Sequence, residues 1–340
     1  MRRRTWISLA VALALVAALV AAVYLRKQAP PEVASILPEA DGIVYFDLQP
    51  LRTLTRFDQH PVAHDPDYQK FIDATGIVFE RDLDQAAFAI HRMSDPNGPN
   101  GAVAYSEVFQ GRFDGKRLAS YLEAQSSARE GYAGDEIYSI AHDGRTVRVV
   151  VLGYDLVAVS NAPTAEQIHS IVDRYHSAAS PFTGDTLLSR YYSKVPLLSE
   201  AWGIGEIGPS TGPGVHFNVF GLPVSLPAGA AFIGSIRYLG SVRLRLEEIA
   251  PAAAAAKESV EAVNLALGLI RSTQVSIGAQ DTNTADWEAF VRSMKTEQKG
   301  KRAIFRAVVP TRLVRSLLAA QQNAAAASVT PQDTPTPAAP

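Results

Sequence analysis

The apolar positions of this chain change period several times along its length, and each change marks a predicted element. Residues 43–46 form a short apolar run of strand character. Asp47 can then cap a helix that begins near Leu48, with Pro50 in its first turn. A second helix is expected over residues 68–75, stopped by Gly76. Strand patterns at 86–91 and 102–109 flank the turn-rich segment SDPNGPNG at 94–101. Asp114 opens a helix over 115–125. Strands at 136–140, 146–152 and 156–160 follow in quick succession, with connectors short enough for antiparallel hairpins. Residues 161–164 lead into a helix ending at Tyr175, in which Ile168, Ile171 and Val172 share one side.

The second half repeats the style. Strands are expected at 200–206, 216–220, 231–238 and 241–248. The last alternates cleanly: Val242, Leu244 and Leu246 face one way, Arg243, Arg245 and Glu247 the other. A long helix over 252–272 carries Val260, Val263, Leu267 and Ile270 on one side. A short helix at 286–294, a strand at 302–309 and a helix at 311–320 complete the pattern. Runs of strands with interspersed helices, without regular βαβ alternation, predict an α+β fold. The expected form is largely antiparallel sheet with helices on one face, in two domains, residues 36–180 and 181–320. Residues 37–46, LPEADGIVYF, also echo 226–235, LPAGAAFIGS, which raises the possibility of an internal duplication.

The front of the chain changes the picture. Residues 7–25 are nineteen positions without a charge, preceded by Arg2, Arg3 and Arg4 and closed by Arg26 and Lys27. At 1.5 Å per residue such a helix spans about 28 Å, close to the hydrocarbon thickness of a bilayer. The run continues through Val23, Tyr24 and Leu25, past the small residues at 20–22 that could serve as a cleavage site. Residues 1–27 therefore read as an uncleaved signal anchor and transmembrane helix, with a cleaved signal peptide as the alternative. The flanking cations orient the N-terminus inside. The bulk is then expected outside the cytoplasmic membrane, in the periplasm of a bacterium or at its outer face. Residues 28–35 form a spacer, and residues 321–340, rich in Ala, Pro and Thr, are expected to be disordered.

Charge and cysteine content remove several classes of function. Beyond residue 27 there are 27 basic and 34 acidic residues, a net of −7, which argues against nucleic acid as a partner. No cysteine is present, so disulfides, cysteine-ligated zinc, iron–sulfur clusters, thiol catalysis and cysteine-borne lipids are excluded.

Several motifs suggest chemistry and then lose it. In AWGIGEIGPSTGPGVH, residues 201–216, Gly203, Gly205 and Gly208 spell the dinucleotide fingerprint, and Gly208, Ser210 and Gly212 spell a nucleophile elbow. Both need a helix immediately afterwards, and the Pro- and Gly-rich run at 209–214 cannot start one. The expected reading is a strand end and a loop. His60, His64, Asp65 and Asp67 could gather around a metal, but Pro61 and Pro66 favour an irregular polar loop. His169, Asp173 and His176 share a helical face opposite the apolar one, where a wet surface explains them as well as zinc does. The acid pairs Asp82 with Asp84 and Glu247 with Glu248 are too close in sequence to suggest a glycosidase pair. Tyr191, Tyr192 and Trp202 suit a core or a groove. From Arg292 to Arg315 eight cations face a single acid, Glu297; this stripe suits anionic headgroups, an acidic partner or simple solvation.

The segment LPEADGIVYFDLQPLR, through Leu37, Pro38, Asp41, Asp47, Leu48, Leu51 and Arg52, resembles a set of uncharacterised membrane-anchored bacterial envelope proteins. Residues 155–175 resemble them too, as a strand leading into a helix. The resemblance implies a cell-envelope location and carries over no catalytic residue. No residue is thus assigned to catalysis, a cofactor or a metal. The expected function is a membrane-anchored, non-enzymatic interaction or structural protein of the envelope, its partner an envelope protein or a lipid. The alternative is a periplasmic binder of lipid or another small molecule, and a hydrolase stands behind both. A continuous apolar cavity would favour the binder.

Overall fold

The structure, a computed structural model, describes residues 29–55, 58, 64–98, 101–177, 186–207, 215–219, 222–274 and 284–316. The segments expected to span the membrane and to form the disordered tail lie outside these residues. Among the described residues no helix is long and apolar enough to cross a membrane.

The fold is α+β. Helix α1 (Glu32–Ser35) precedes β1 (Gly42–Asp47), then α2 (Leu48–Thr55), α3 (Pro66–Thr75) and α4 (Phe79–Asp82). Strands β2 (Leu83–Arg92) and β3 (Val103–Gly111) lead to α5 (Gly115–Gln125). A meander follows: β4 (Ala128–Tyr132), β5 (Asp135–His142), β6 (Arg145–Leu152) and β7 (Leu156–Ser160). Next come α6 (Glu166–Ser177), α7 (Leu187–Tyr191), β8 (Ala201–Glu206) and a hairpin of β9 (Val215–Val219) and β10 (Leu222–Leu226). The chain continues through β11 (Ala231–Tyr238), β12 (Val242–Ile249), α8 (Ala253–Gln274), α9 (Thr284–Ser293), β13 (Lys295–Lys299) and β14 (Arg302–Val309). Residues 311–316 are helical.

Local chemistry sets the helix ends. Asp65 caps α3 by accepting from the backbone N–H groups of Asp67 and Tyr68, and Gly76 closes it in the left-handed region at φ 75°. Asp114 caps α5 in the same way through Lys116 and Arg117. Residues 32–35, expected to be spacer, instead form α1, because Val33 and Ala34 are completely buried in the core.

Twelve strands form one antiparallel sheet in the order β13-β14-β12-β11-β8-β1-β2-β3-β7-β6-β5-β4. Strands β1 and β8, on either side of the boundary expected at residue 180, are hydrogen-bonded neighbours. The two echoing segments lead into β1 and β11, which flank β8 on its two sides.

Helices cover both faces of this sheet, not one. On the back face Val150 and Ala158 pack with Ile168, Ile171 and Val172 of α6, and Trp202 and Ile204 share the same core with α1 and α7. On the front face Val149 and Val157, each one residue along from a back-face neighbour, pack with Leu118 and Leu122 of α5. Strands with a meander's hydrophobic content on both sides need two covers. At the opposite end of the front face, α8 and α9 cover β12 and β14 through Leu267, Val291, Met294 and Ala307. Between these two helical groups the front of the sheet leaves Phe46, Tyr105 and Ile236 exposed.

Candidate apolar binding site

The register of the sheet builds a trough on its front face. Residues directly opposite one another on paired strands point to the same side. Ala303 on β14 lies opposite Glu248 on β12, and Glu248 opposite Phe232 on β11. Phe232 lies opposite Gly205 on β8, Gly205 opposite Gly42 on β1, and Gly42 opposite Ile90 on β2. One row thus crosses six strands. At about 4.8 Å per strand step it is about 24 Å long.

All six of these residues line one cavity of about 830 Å³. Its other wall is the apolar side of α8, with Val260, Val263, Leu267 and Ile270, together with Phe290 and Met294. The residues placed on one side of the long helix by periodicity thus form the wall that faces the sheet across this cavity.

The gap exists because the floor has no side chains at its centre. Gly42 and Gly205 are in extended strands with no left-handed φ to require glycine. A Cβ added at Gly205 would come no closer than 3.6 Å to any other atom, and one at Gly42 no closer than 3.7 Å. Neither position needs glycine to avoid a clash, so the effect of both is to leave space above the sheet. Gly203 and Gly234 continue this bare surface one row along, paired with each other.

Polar groups meet the trough at few places. At the Ile90 end, Arg92 pairs with Asp41 at 2.6 Å, and the backbone N–H of Arg92 donates to the same carboxylate. Along the row, Glu248 is buried and accepts from the Ser259 hydroxyl at 3.1 Å. Burial pushes its carboxyl above the usual range, with the Ser259 hydrogen bond opposing. Its neighbour Glu247 points to the back face, also buried, and accepts from Arg245 and Arg302. Burial raises the Glu247 carboxyl, but the two guanidinium groups outweigh it and hold the group below the usual range.

The residues singled out in the sequence find other tasks. Gly203 and Gly205 sit in β8, where Gly205 lines the trough; Gly208, Ser210 and Gly212 lie outside the described residues, as does His60. Asp65 is a helix cap, Asp67 pairs with Lys70 at the surface, and His64 approaches Glu80 at 3.3 Å. His169 stacks on Tyr132 and lies 3.0 Å from Glu130, while His176 bonds Asp135 at 2.6 Å and Asp173 accepts from the Tyr132 hydroxyl. That helical row fastens α6 to the β4–β5 hairpin. Among the described residues no three histidine or acidic side chains are placed to hold a metal. Asp82 pairs with Arg81 and Arg112, and Asp84 with Arg52. Trp202 is core, stacked on Tyr45 at 5.5 Å and met edge-on by Tyr192. Tyr191 donates to Glu206.

A nucleophile beside a base does occur, although no local motif announces it. His91 Nε2 lies 2.9 Å from Ser106 Oγ, and Ser160 joins them at 3.2 Å. All three are buried, Ser106 completely, and burial holds the imidazole below its usual range. The chain His91–Ser106–Ser160 therefore satisfies polar groups between strands β2, β3 and β7.

The opening motif residues also have a mechanical role. Asp41 holds Arg92, and Asp47 accepts from the N–H of Gln49 at the start of α2. Arg52 donates to the carbonyls of Glu80 and Leu83 and to Asp84, which ties α2 to the start of β2.

No protein-family model matches the chain, and no protein of curated function does. Among solved structures it is similar to crystal form IV of TP0453, at 12% identity and a TM-score of 0.41 over 84% of this chain and 95% of that one. Crystal form III of TP0453 is similar at 12% identity and a TM-score of 0.40, over 86% and 99%. Nothing about ligand or activity transfers at this distance.

Proposed function

We propose that this chain is a membrane-anchored, exported binding protein whose trough holds a long apolar molecule of the lipid class. The carrying observation is the continuous row Ala303–Glu248–Phe232–Gly205–Gly42–Ile90, floored by glycine and roofed by α8 and α9. A volume of about 830 Å³ falls within the range of small-molecule sites. A peptide fits it poorly. Each residue of a peptide brings a backbone donor and acceptor that must be paired. The floor strands already pair theirs with one another, and the walls are overwhelmingly carbon. A hydrocarbon chain needs no such partners and removes apolar surface from water along its whole length.

The remainder of the reading comes from the sequence. Residues 7–25 anchor the chain in the cytoplasmic membrane with the N-terminus inside, which puts the trough in the periplasm or outside. No catalytic role is assigned. Native mass spectrometry of the full-length protein, gently extracted from its own membranes, tests the proposal. The expected result is a bound mass that is lost on denaturation and extracts into organic solvent. A protein partner bound in place of any such mass would favour an interaction role instead.

A further inference from the structure

The back face of the sheet gathers cations at the β13 end. Register places Arg237 on β11 directly opposite Arg243 on β12. It also aligns Arg245 on β12, Arg306 on β14 and Lys295 on β13 in one row. These residues alternate with the trough-lining positions, so they point away from the cavity. Two acids neutralise part of the patch. Glu247 takes Arg245 and Arg302; Glu297 takes Lys299 and Arg306. Arg237, Arg243 and Lys295 have no ion pair among the described residues, and Arg243 and Lys295 are exposed. Like charges directly opposite in a sheet are destabilising. This end of the chain therefore carries uncompensated positive charge, although the exported part as a whole is acidic.

The membrane tether enters from the same side. Helix α1 is buried in the back-face core, and the Ala29 carbonyl accepts from the Tyr192 hydroxyl at 3.2 Å. Only Arg26, Lys27 and Gln28 separate Ala29 from Leu25, the end of the apolar run. Fully extended, that stretch reaches about 14 Å. Tyr192 packs on Trp202 of β8, and β8 is separated from β12 by β11 alone. At about 4.8 Å per strand the cations of β11–β13 lie roughly 5–20 Å sideways from β8.

We infer that the back face of β11–β13 rests on anionic phospholipid headgroups through Arg237, Arg243 and Lys295, with the trough facing away from the membrane plane. The inference rests on the proposed anchor but not on the trough's ligand. An anionic surface attracts each nearby cation and the attraction fades within a Debye length, so the short tether is what makes the contact effective.

The chain lacks cysteine, so single labelling sites can be introduced cleanly. Val308 lies on the back face opposite Arg243 and is exposed; Leu265 of α8 is exposed on the other side. Full-length Val308→Cys and Leu265→Cys proteins, each carrying a fluorophore, are reconstituted into vesicles of phosphatidylcholine alone or with phosphatidylglycerol. Both vesicle types contain a headgroup quencher. The expected result is strong quenching of the Val308 label only with phosphatidylglycerol, lost in the Arg237→Gln, Arg243→Gln, Lys295→Gln variant, and none at Leu265. Unchanged thermal melting of that variant confirms that charge, not folding, is responsible. A Val308 label that stays unquenched on anionic vesicles, as a protein-docking face would, overturns the inference while the anchor stands. A chain that floats with neither kind of vesicle overturns the anchor and the inference together.

Discussion

Two adjacent glutamates show how much depends on which way a side chain points. Glu247 and Glu248 are one residue apart in β12 and therefore face opposite sides of the sheet. Glu248, raised by burial, binds a proton more readily folded than unfolded. It contributes stability that is fully present below its unfolded value and lost as pH rises through its folded one. Glu247, lowered by its two arginines, does the reverse: its contribution is present above the unfolded value and lost as pH falls through the folded one. Chemical denaturation of wild type, Glu247→Gln and Glu248→Gln across about pH 4 to pH 8 checks this. The stability advantage of wild type over Glu248→Gln should shrink as pH rises, and that over Glu247→Gln should grow. Equal slopes for the two variants would contradict the assignment. In the sequence the pair reads only as two neighbouring acids. Strand parity separates them, and parity acquires meaning only once the cavity is known. The same is true of Gly203 and Gly205. Their spacing is visible as a motif, but a spacing of two in a strand puts both on one face, whereas a phosphate loop needs a helix to follow.

At the scale of elements, the hydrophobic pattern located the interior of the sheet well and its borders poorly. The strand expected at 156–160 and the helix expected at 115–125 are observed as β7 (Leu156–Ser160) and α5 (Gly115–Gln125). The strands with no expectation include β4, AREGY, and β13, KTEQK, which are the two outer edges of the sheet. Edge strands expose unpaired backbone groups, and charge on them discourages pairing with another molecule. The same charge removes the apolar alternation by which a strand is found. Strand β4 illustrates it: Arg129 bonds Glu123 at 2.7 Å, and Glu130 lies beside His169. Replacing Arg129 and Glu130 by valine should leave the fold intact and produce concentration-dependent self-association in sedimentation analysis. A variant that stays as monodisperse as wild type would show that these charges do not guard the edge. The helices were expected on one face for a related reason. Periodicity shows that a helix has an apolar side, but not which side of a sheet receives it.

At the scale of the whole molecule, the two faces of the sheet differ in character. The front carries the α5 cluster at one end and the trough beneath α8 and α9 at the other, and the back carries the core with α1 and the cations of β11–β13. The alternative of a lipid binder was legible in the sequence only as a possibility, because the cavity is made by residues from seven strands and two helices that no local pattern connects. In the proposed binding protein, glycine keeps the trough open for an apolar ligand. The most direct test is an equilibrium titration of the full-length protein and its Gly205→Leu variant with a fluorescent long-chain fatty acid. Leucine fits the extended backbone at this position, and removing a strand glycine typically gains about 0.5–1 kcal/mol, so the variant should melt no lower than wild type. Its side chain, however, fills the middle of the row. Saturable binding to wild type is expected, with at least a tenfold loss in the variant, roughly 1.4 kcal/mol of binding free energy. No saturable binding to wild type, or equal binding to both, would contradict it.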